Sequence, residues 1–149
     1  NITEFQKFDL ITPNEREARF SLGDQDSVIR PLALRLFQVA QCKNLILKLG
    51  DRGVMAYRRT KKVENAEEEL NSFFVLDSFA SNVVDPVGAG DALLSYASLG
   101  DYLTKDTVIA AILGALAAAC ECEHDGNHPV TVDYMHSMLD KFESRIGYE

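Results

Sequence analysis

The segment Asp85-Pro86-Val87-Gly88-Ala89-Gly90-Asp91 holds the residue types that most directly imply chemistry. A turn-forming Asp-Pro leads into Gly-Ala-Gly, an Asp follows, and Ala92-Leu93-Leu94-Ser95-Tyr96-Ala97 continues as a run suited to a helix. A glycine-rich loop at a helix start presents unpaired N–H groups and the positive end of the helix dipole, a combination that attracts anions. Asp91 falls at the same terminus, where a carboxylate can accept a proton. An anion cradle with a base beside it is what phosphoryl transfer to a hydroxyl requires. A bare Gly-x-Gly is an ordinary structural turn; Asp85, Asp91 and the following helix are what favour the chemical reading. Two other phosphate loops are excluded by single residues. The dinucleotide-binding fingerprint needs a third glycine where Leu93 stands, and a P-loop needs Lys-Ser/Thr where Asp91-Ala92 stands.

The elements that would position this loop can be read along the chain. Phe8 to Thr12 reads as a short strand stopped by Pro13, and Asn14 as the cap of a helix from Glu15 to Leu22 that Gly23 ends. A second helix is expected from Asp26 or Ser27 through Ala40. Leu45 to Gly50 reads as a buried strand, Asp51-Arg52-Gly53 as a tight turn and Val54 to Arg58 as the return strand. The charged segment from Thr60 to Asn71, with Glu67-Glu68-Glu69 at its centre, reads as an exposed loop or a frayed turn. Phe73 to Leu76 and Phe79 to Val84 read as strands. Three helices should follow, at about Ala89–Leu99, Thr104–Cys122 and Val132–Ile146. Alternating strands and helices predict a three-layer α/β/α architecture with a mostly parallel sheet.

Bulk properties narrow the function classes. The 149 residues are 46% hydrophobic and 26% charged, which suits one packed domain. A net charge of −8 argues against nucleic acid or an anionic membrane as partner. Three cysteines, Cys42, Cys120 and Cys122, do not suggest a disulfide framework, and a cytoplasmic setting is expected. Neither a membrane-length apolar run nor a signal peptide is visible. Cys120, Cys122, His124 and His128 could suggest zinc, but residues two apart on a helix do not share a face, so core cysteines and solvated loop histidines are the better reading. The chain begins with Asn1 and reads as part of a longer protein.

Asp85 to Leu93 resembles the C-terminal signature of the PfkB/ribokinase family of carbohydrate kinases, which typically reads Asp-Thr-x-Gly-Ala-Gly-Asp-x-Phe. Pro86 stands here where Thr is common, and Leu93 where Phe is common. The resemblance implies that Asp91 is the catalytic base and that the amides of Gly88, Ala89 and Gly90 form the anion hole. It also implies that Asp85 helps build a site for a monovalent cation such as K⁺. Thr12 to Ala18 resembles the family's Asn-x-x-Glu block, which implies that Asn14 and Glu17 lie near the ATP phosphates and that Glu17 orders Mg²⁺ through water. Taken alone, Asn14 and Glu17 are also ordinary helix-capping residues. Leu47 to Val54 resembles the family's strand-turn-strand beside the nucleotide. Lys48 would meet a phosphate, Gly50 would allow close approach to the backbone, and Gly53 would serve the turn. Ala115 to Ala119 with Gly126-Asn127-His128-Pro129-Val130 resembles the wall of the adenine pocket, and tight helix packing explains the small residues equally well.

The span from about Leu10 to Val130 thus resembles the C-terminal, ATP-binding portion of a sugar kinase, with residues 1–149 as one truncated ribokinase-like portion. The implied reaction moves the γ-phosphoryl group of ATP to a hydroxyl of a sugar or sugar phosphate. Ile11 to Ala18 with Lys48-Leu49-Gly50 leans toward heptose-phosphate kinases of the kind found in bifunctional ADP-heptose synthases. Family members are considerably longer, and their N-terminal half supplies the sugar site, so little or no sugar-kinase activity is expected of this portion alone. A truncated sheet would also leave apolar surface for self-association, such as a homodimer. Two alternatives are a vitamin-precursor kinase of the same superfold and a non-catalytic nucleotide-binding or regulatory domain.

Overall fold

The computed structural model describes residues 2–4, 6–58, 66–126 and 128–146. These residues form two compact units, Asn1–Leu76 and Asp77–Glu149. The first combines sheet and helices and the second is helical, so the chain is α/β in class.

In the first unit, β1 (Leu10–Ile11), β2 (Asn44–Lys48), β3 (Val54–Tyr57) and β4 (Phe73–Leu76) form a four-stranded sheet in sequential order. Only β1–β2 is parallel; β2–β3 and β3–β4 are antiparallel. The described sheet is therefore mixed where a mostly parallel one was expected. The reason is local: a one-turn 3₁₀ helix at Gly50–Arg52 folds β3 straight back on β2, and such short connections can join only antiparallel strands. The parallel edge continues through an isolated bridge between Asn14 and Lys48, with the Lys48 N–H donating to the Pro13 carbonyl at 2.8 Å.

Helices α1 (Glu15–Leu22) and α2 (Ile29–Ala40) belong to this unit. Leu32 and Leu36 of α2 share one core with Leu45 and Leu47 of β2. Around Tyr57, the Phe37 ring stacks at 4.2 Å between centroids and Phe73 meets it edge-on at 5.1 Å. Such contacts add specificity beyond the area buried. The charged segment expected to be a loop contains a short helix, α3 (Ala66–Asn71). Residues 59–65 lie outside the described set.

The second unit is built on α4 (Ala89–Thr104), α5 (Thr107–Cys122) and α6 (Val132–Ile146). Small residues let α4 and α5 approach closely. A Cβ on Gly114 would stand 2.9 Å from both the Ala97 Cβ and the Leu93 carbonyl oxygen. One on Gly100 would stand 3.0 Å from the Ala110 Cα. The alanines at 110, 111, 115, 117 and 119 are buried, so close packing accounts for the Ala-rich stretch. Met138 of α6 lies against Cys120, and Phe79 meets Phe142 of α6 at 4.6 Å between ring centroids.

The strand expected at Phe79 to Val84 is not formed. Residues 77–88 are irregular, and the N–H groups of Ser81, Val84 and Asp85 go to the end of α5 instead of to a sheet. Val84 and Asp85 N–H groups both donate to the Cys122 carbonyl, at 2.8 and 3.2 Å, and the Ser81 N–H donates to Glu123 Oε1 at 2.7 Å. Val83 and Val84, whose types suggested a buried strand, are more than half exposed at 55% and 52%.

Candidate functional site

The candidate residues fall in both units, and each group is described within its own unit. In the first, Asn14 caps α1 in extended backbone conformation. Its Oδ1 accepts the Glu17 N–H at 2.7 Å, and Glu17 Oε2 accepts the Asn14 N–H at 2.7 Å. This reciprocal capping box satisfies two donors that a helix start leaves open. It fixes both side chains and leaves Asn14 Nδ2 and Glu17 Oε1 as their remaining polar atoms.

The bridge at Asn14 brings Lys48 alongside the same helix start. Among the described residues, the Lys48 ammonium has no ion-pair partner. Gly50 and Gly53 bracket the following turn, where the Gly53 N–H donates to the Gly50 carbonyl at 3.1 Å and a Cβ on Gly50 would meet nothing within 4 Å. Glu15 holds this corner by pairing with Arg19 at 2.9 Å and with Arg52. Its carboxyl is held below the ordinary 4.5, mainly by the hydrogen bond from Arg19, with burial opposing.

In the second unit, Asp85 to Asp91 forms the turn that starts α4. Asp85 Oδ1 accepts the Val87 N–H at 2.9 Å, an Asx-type turn that shapes the approach to the glycines. Gly88 is the N-cap residue at φ 87°, a conformation that disfavours side chains, and it provides no side-chain cap. Its carbonyl accepts the N–H groups of Asp91 and Ala92, both at 3.0 Å, and the Ala89 N–H reaches the Pro86 carbonyl at 3.3 Å. Among the described residues, the N–H groups of Gly88 and Gly90 have no partner. Two free donors at the positive end of a 16-residue helix fit an oxyanion. Asp91 lies in the first turn of that helix and is exposed, free to meet an incoming hydroxyl.

Sequence reasoning passed over Glu121. It lies one residue before the end of α5, is 3% exposed, and its Oε1 has no hydrogen-bond partner among the described residues. That oxygen is 2.8 Å from where a Cβ on Gly88 would stand, so it packs directly against the glycine turn. The one available signal was an acid within an otherwise apolar, Ala-rich helix face.

Of the remaining candidates, Gly126 follows α5 at φ 78° with open space where a Cβ would be. Asn127 lies outside the described residues. The zinc alternative finds no geometry. His124 Nδ1 donates to the Cys120 carbonyl and His128 Nε2 to that of Asp125. All three cysteines are free thiols, and burial pushes Cys42 and Cys120 up to about 11. No group of three or more His, Cys, Asp or Glu among the described residues is placed to hold a metal ion, so a cation here would have to use backbone carbonyls or water as well. No helix among the described residues is long and apolar enough to cross a membrane.

The sheet-and-helix unit with its capped α1, followed by a glycine turn opening α4, defines an α/β protein of the ribokinase-like fold. The chain belongs to the pfkB family of carbohydrate kinases, whose model matches residues 2–131. Solved structures agree. A ribokinase from Thermotoga maritima is 26% identical, with a TM-score of 0.72 over 94% of this chain and 45% of that one. Phosphofructokinase-2 from Escherichia coli, solved with potassium, is 15% identical, with a TM-score of 0.73 over 95% of this chain and 43% of that one. A fructokinase from Vibrio cholerae O395, solved with fructose, ADP and potassium ion, is 19% identical, with a TM-score of 0.68 over 88% of this chain and 40% of that one. The last two likenesses, at such low identity, speak to fold alone. The chain spans less than half the length of each.

Proposed function

We propose that this chain is the nucleotide-binding half of an ATP-dependent kinase acting on a hydroxyl of a sugar or sugar phosphate. The observation that carries the proposal is the start of α4, where two amides unpaired among the described residues, Gly88 and Gly90, stand beside an exposed Asp91. In this reading Asp91 accepts the proton of the attacking hydroxyl. The Gly88–Ala89–Gly90 backbone stabilises the charge that develops on the transferring group, and it does so without reorganising. Lys48, with no competing ion pair among the described residues, meets a phosphate of ATP. Asn14 and Glu17, held rigid by their mutual cap, offer Nδ2 and Oε1 toward the phosphates and their hydrated Mg²⁺. Gly50 and Gly53 leave the β2–β3 turn open to the nucleotide, and Gly126 with Asn127 borders the base. Mg²⁺, when bound with ATP, neutralises phosphate charge.

Positioning of both reactants supplies much of the rate in phosphoryl transfer. Relatives more than twice as long as the matched span make it reasonable to place sugar binding outside these residues. The 149-residue chain is therefore expected to bind ATP and to turn over no sugar at a rate comparable with a complete kinase. The test is Asp91→Asn in the complete kinase: turnover should fall about 10²–10⁴-fold, the worth of a general base, with ATP affinity retained. Unchanged turnover removes Asp91 from the role of base, and no turnover by the unmutated enzyme across a panel of sugars and sugar phosphates contradicts the kinase reading.

A further inference from the structure

Glu121 has no evident structural reason to be a glutamate. It is 97% buried by its 3% exposure, and Oε1 accepts no hydrogen bond among the described residues. A buried carboxylate left unpaired is costly enough that proteins supply it with a partner. Its position in the last turn of α5 adds to the difficulty, because the negative end of a helix dipole disfavours an anion. No lysine or arginine among the described residues pairs with it.

Its surroundings are acidic. Asp85 is tied to the end of α5, its N–H donating to the Cys122 carbonyl at 3.2 Å, and its carboxylate meets the Val87 N–H next to Gly88, the glycine against which Glu121 packs. Glu123 is already engaged, with Oε1 on the Ser81 N–H and Oε2 on the Tyr134 hydroxyl. Asp85 uses Oδ1 for the Val87 N–H, and no partner is found for Oδ2 among the described residues. The uncommitted acidic oxygens next to the glycine turn are thus those of Glu121 and Asp85.

We propose that Glu121 is a cation ligand beneath the Gly88 turn, and that with Asp85 it makes this site select a divalent cation over a monovalent one. This rests on the kinase reading above, with the cation site that the family resemblance implies at Asp85, and adds the residue that decides which cation it takes. Two carboxylates offer two negative charges to a hard cation that accepts oxygen ligands, with backbone carbonyls and water completing the shell. A bound cation would offset the buried charge and hold the turn whose Gly88 and Gly90 amides face the phosphate.

The experiment is calorimetric titration of the nucleotide-free chain with CaCl₂, MgCl₂ and KCl at matched ionic strength, with thermal unfolding followed in parallel. Saturable binding of Ca²⁺ or Mg²⁺ with a raised unfolding midpoint is expected, with no comparable response to K⁺. Glu121→Gln should weaken divalent binding at least tenfold, and Glu121→Ala, an exchange suited to this Ala-rich helix, should do the same. Circular dichroism would establish that both variants fold. Asp24→Asn, at an acid of the first unit already engaged by Ser27 and Arg35, should leave cation binding unchanged. Equal response to K⁺, undiminished divalent binding in both Glu121 variants, or no cation binding by the unmutated chain would overturn the proposal. ATP affinity measured separately keeps its failure distinct from failure of the kinase reading.

Discussion

Two helix starts in this molecule carry similar residue patterns and are used in opposite ways. At α1, Asn14 and Glu17 close on each other, each side chain accepting the other's N–H at 2.7 Å. At α4, the cap position is Gly88, which has no side chain to give, and the amides of Gly88 and Gly90 stay unpaired among the described residues. Both helices carry an acid in the first turn, Glu17 in one and Asp91 in the other. Glu17 spends an oxygen on the backbone, whereas Asp91 is exposed and uncommitted. A closed cap stabilises the helix it starts; an open one keeps donors available to a ligand. The contrast separates a positioning element from the place where the reacting anion would sit.

The largest effect should come from the open terminus. Loss of the Asp91 carboxylate in the complete kinase should cost about 10²–10⁴ in turnover, whereas Glu17→Gln, which keeps the cap acceptor and acts only through hydrated Mg²⁺, should cost less. Comparable losses from the two substitutions would erase the distinction. Next in size is Gly114→Ala, which drives a methyl into the Leu93 carbonyl oxygen and the Ala97 Cβ, both 2.9 Å away. Overpacking of this kind costs about 1–3 kcal/mol. Urea unfolding should report it, with a parallel loss of ATP affinity, because α4 cannot keep its place against α5.

Gly88→Ala should follow, at about 1–2 kcal/mol for a left-handed alanine. Its more telling consequence is weaker binding of inorganic phosphate, since the turn that aims the free amides is disturbed. Asn14→Ala should cost about 1 kcal/mol, as loss of a cap does, without altering phosphate binding at α4. The smallest effect belongs to Glu15. Its carboxyl is depressed below 4.5 in the folded chain, so its contribution is complete above that value and is lost as the pH falls through the depressed one. At partly exposed positions such pairs are worth about 0.2–1 kcal/mol. Stability measured from pH 6 down to pH 3 should decline less steeply in Glu15→Gln.

Much of this arrangement is legible in the sequence. The α1 boundaries follow from Asn14 and Gly23, α6 from its spacing, and the β2–β3 hairpin from Asp51-Arg52-Gly53. The glycine loop announces itself because few residues other than glycine tolerate the backbone it needs. What was not legible depends on tertiary partners. Phe79 to Val84 has strand-forming residues, but the Cys122 carbonyl and Glu123 capture its donors before a sheet can. The β2–β3 pairing is antiparallel because its connection is a single 3₁₀ turn, which outweighs the parallel pattern suggested by alternating strands and helices. Glu121 was invisible for the same kind of reason: only the packing of α5 against the Gly88 turn makes one acid in an alanine-rich helix conspicuous.

The central claim is that the start of α4, and not that of α1, is the anion hole for the transferring phosphoryl group. It is tested most directly by following backbone amide resonances as inorganic phosphate is added to the chain. Saturable shifts at Gly88 and Gly90, with Asn14 and Glu17 unmoved, are predicted. Saturable shifts centred on Asn14 and Glu17, with Gly88 and Gly90 unchanged, would contradict it.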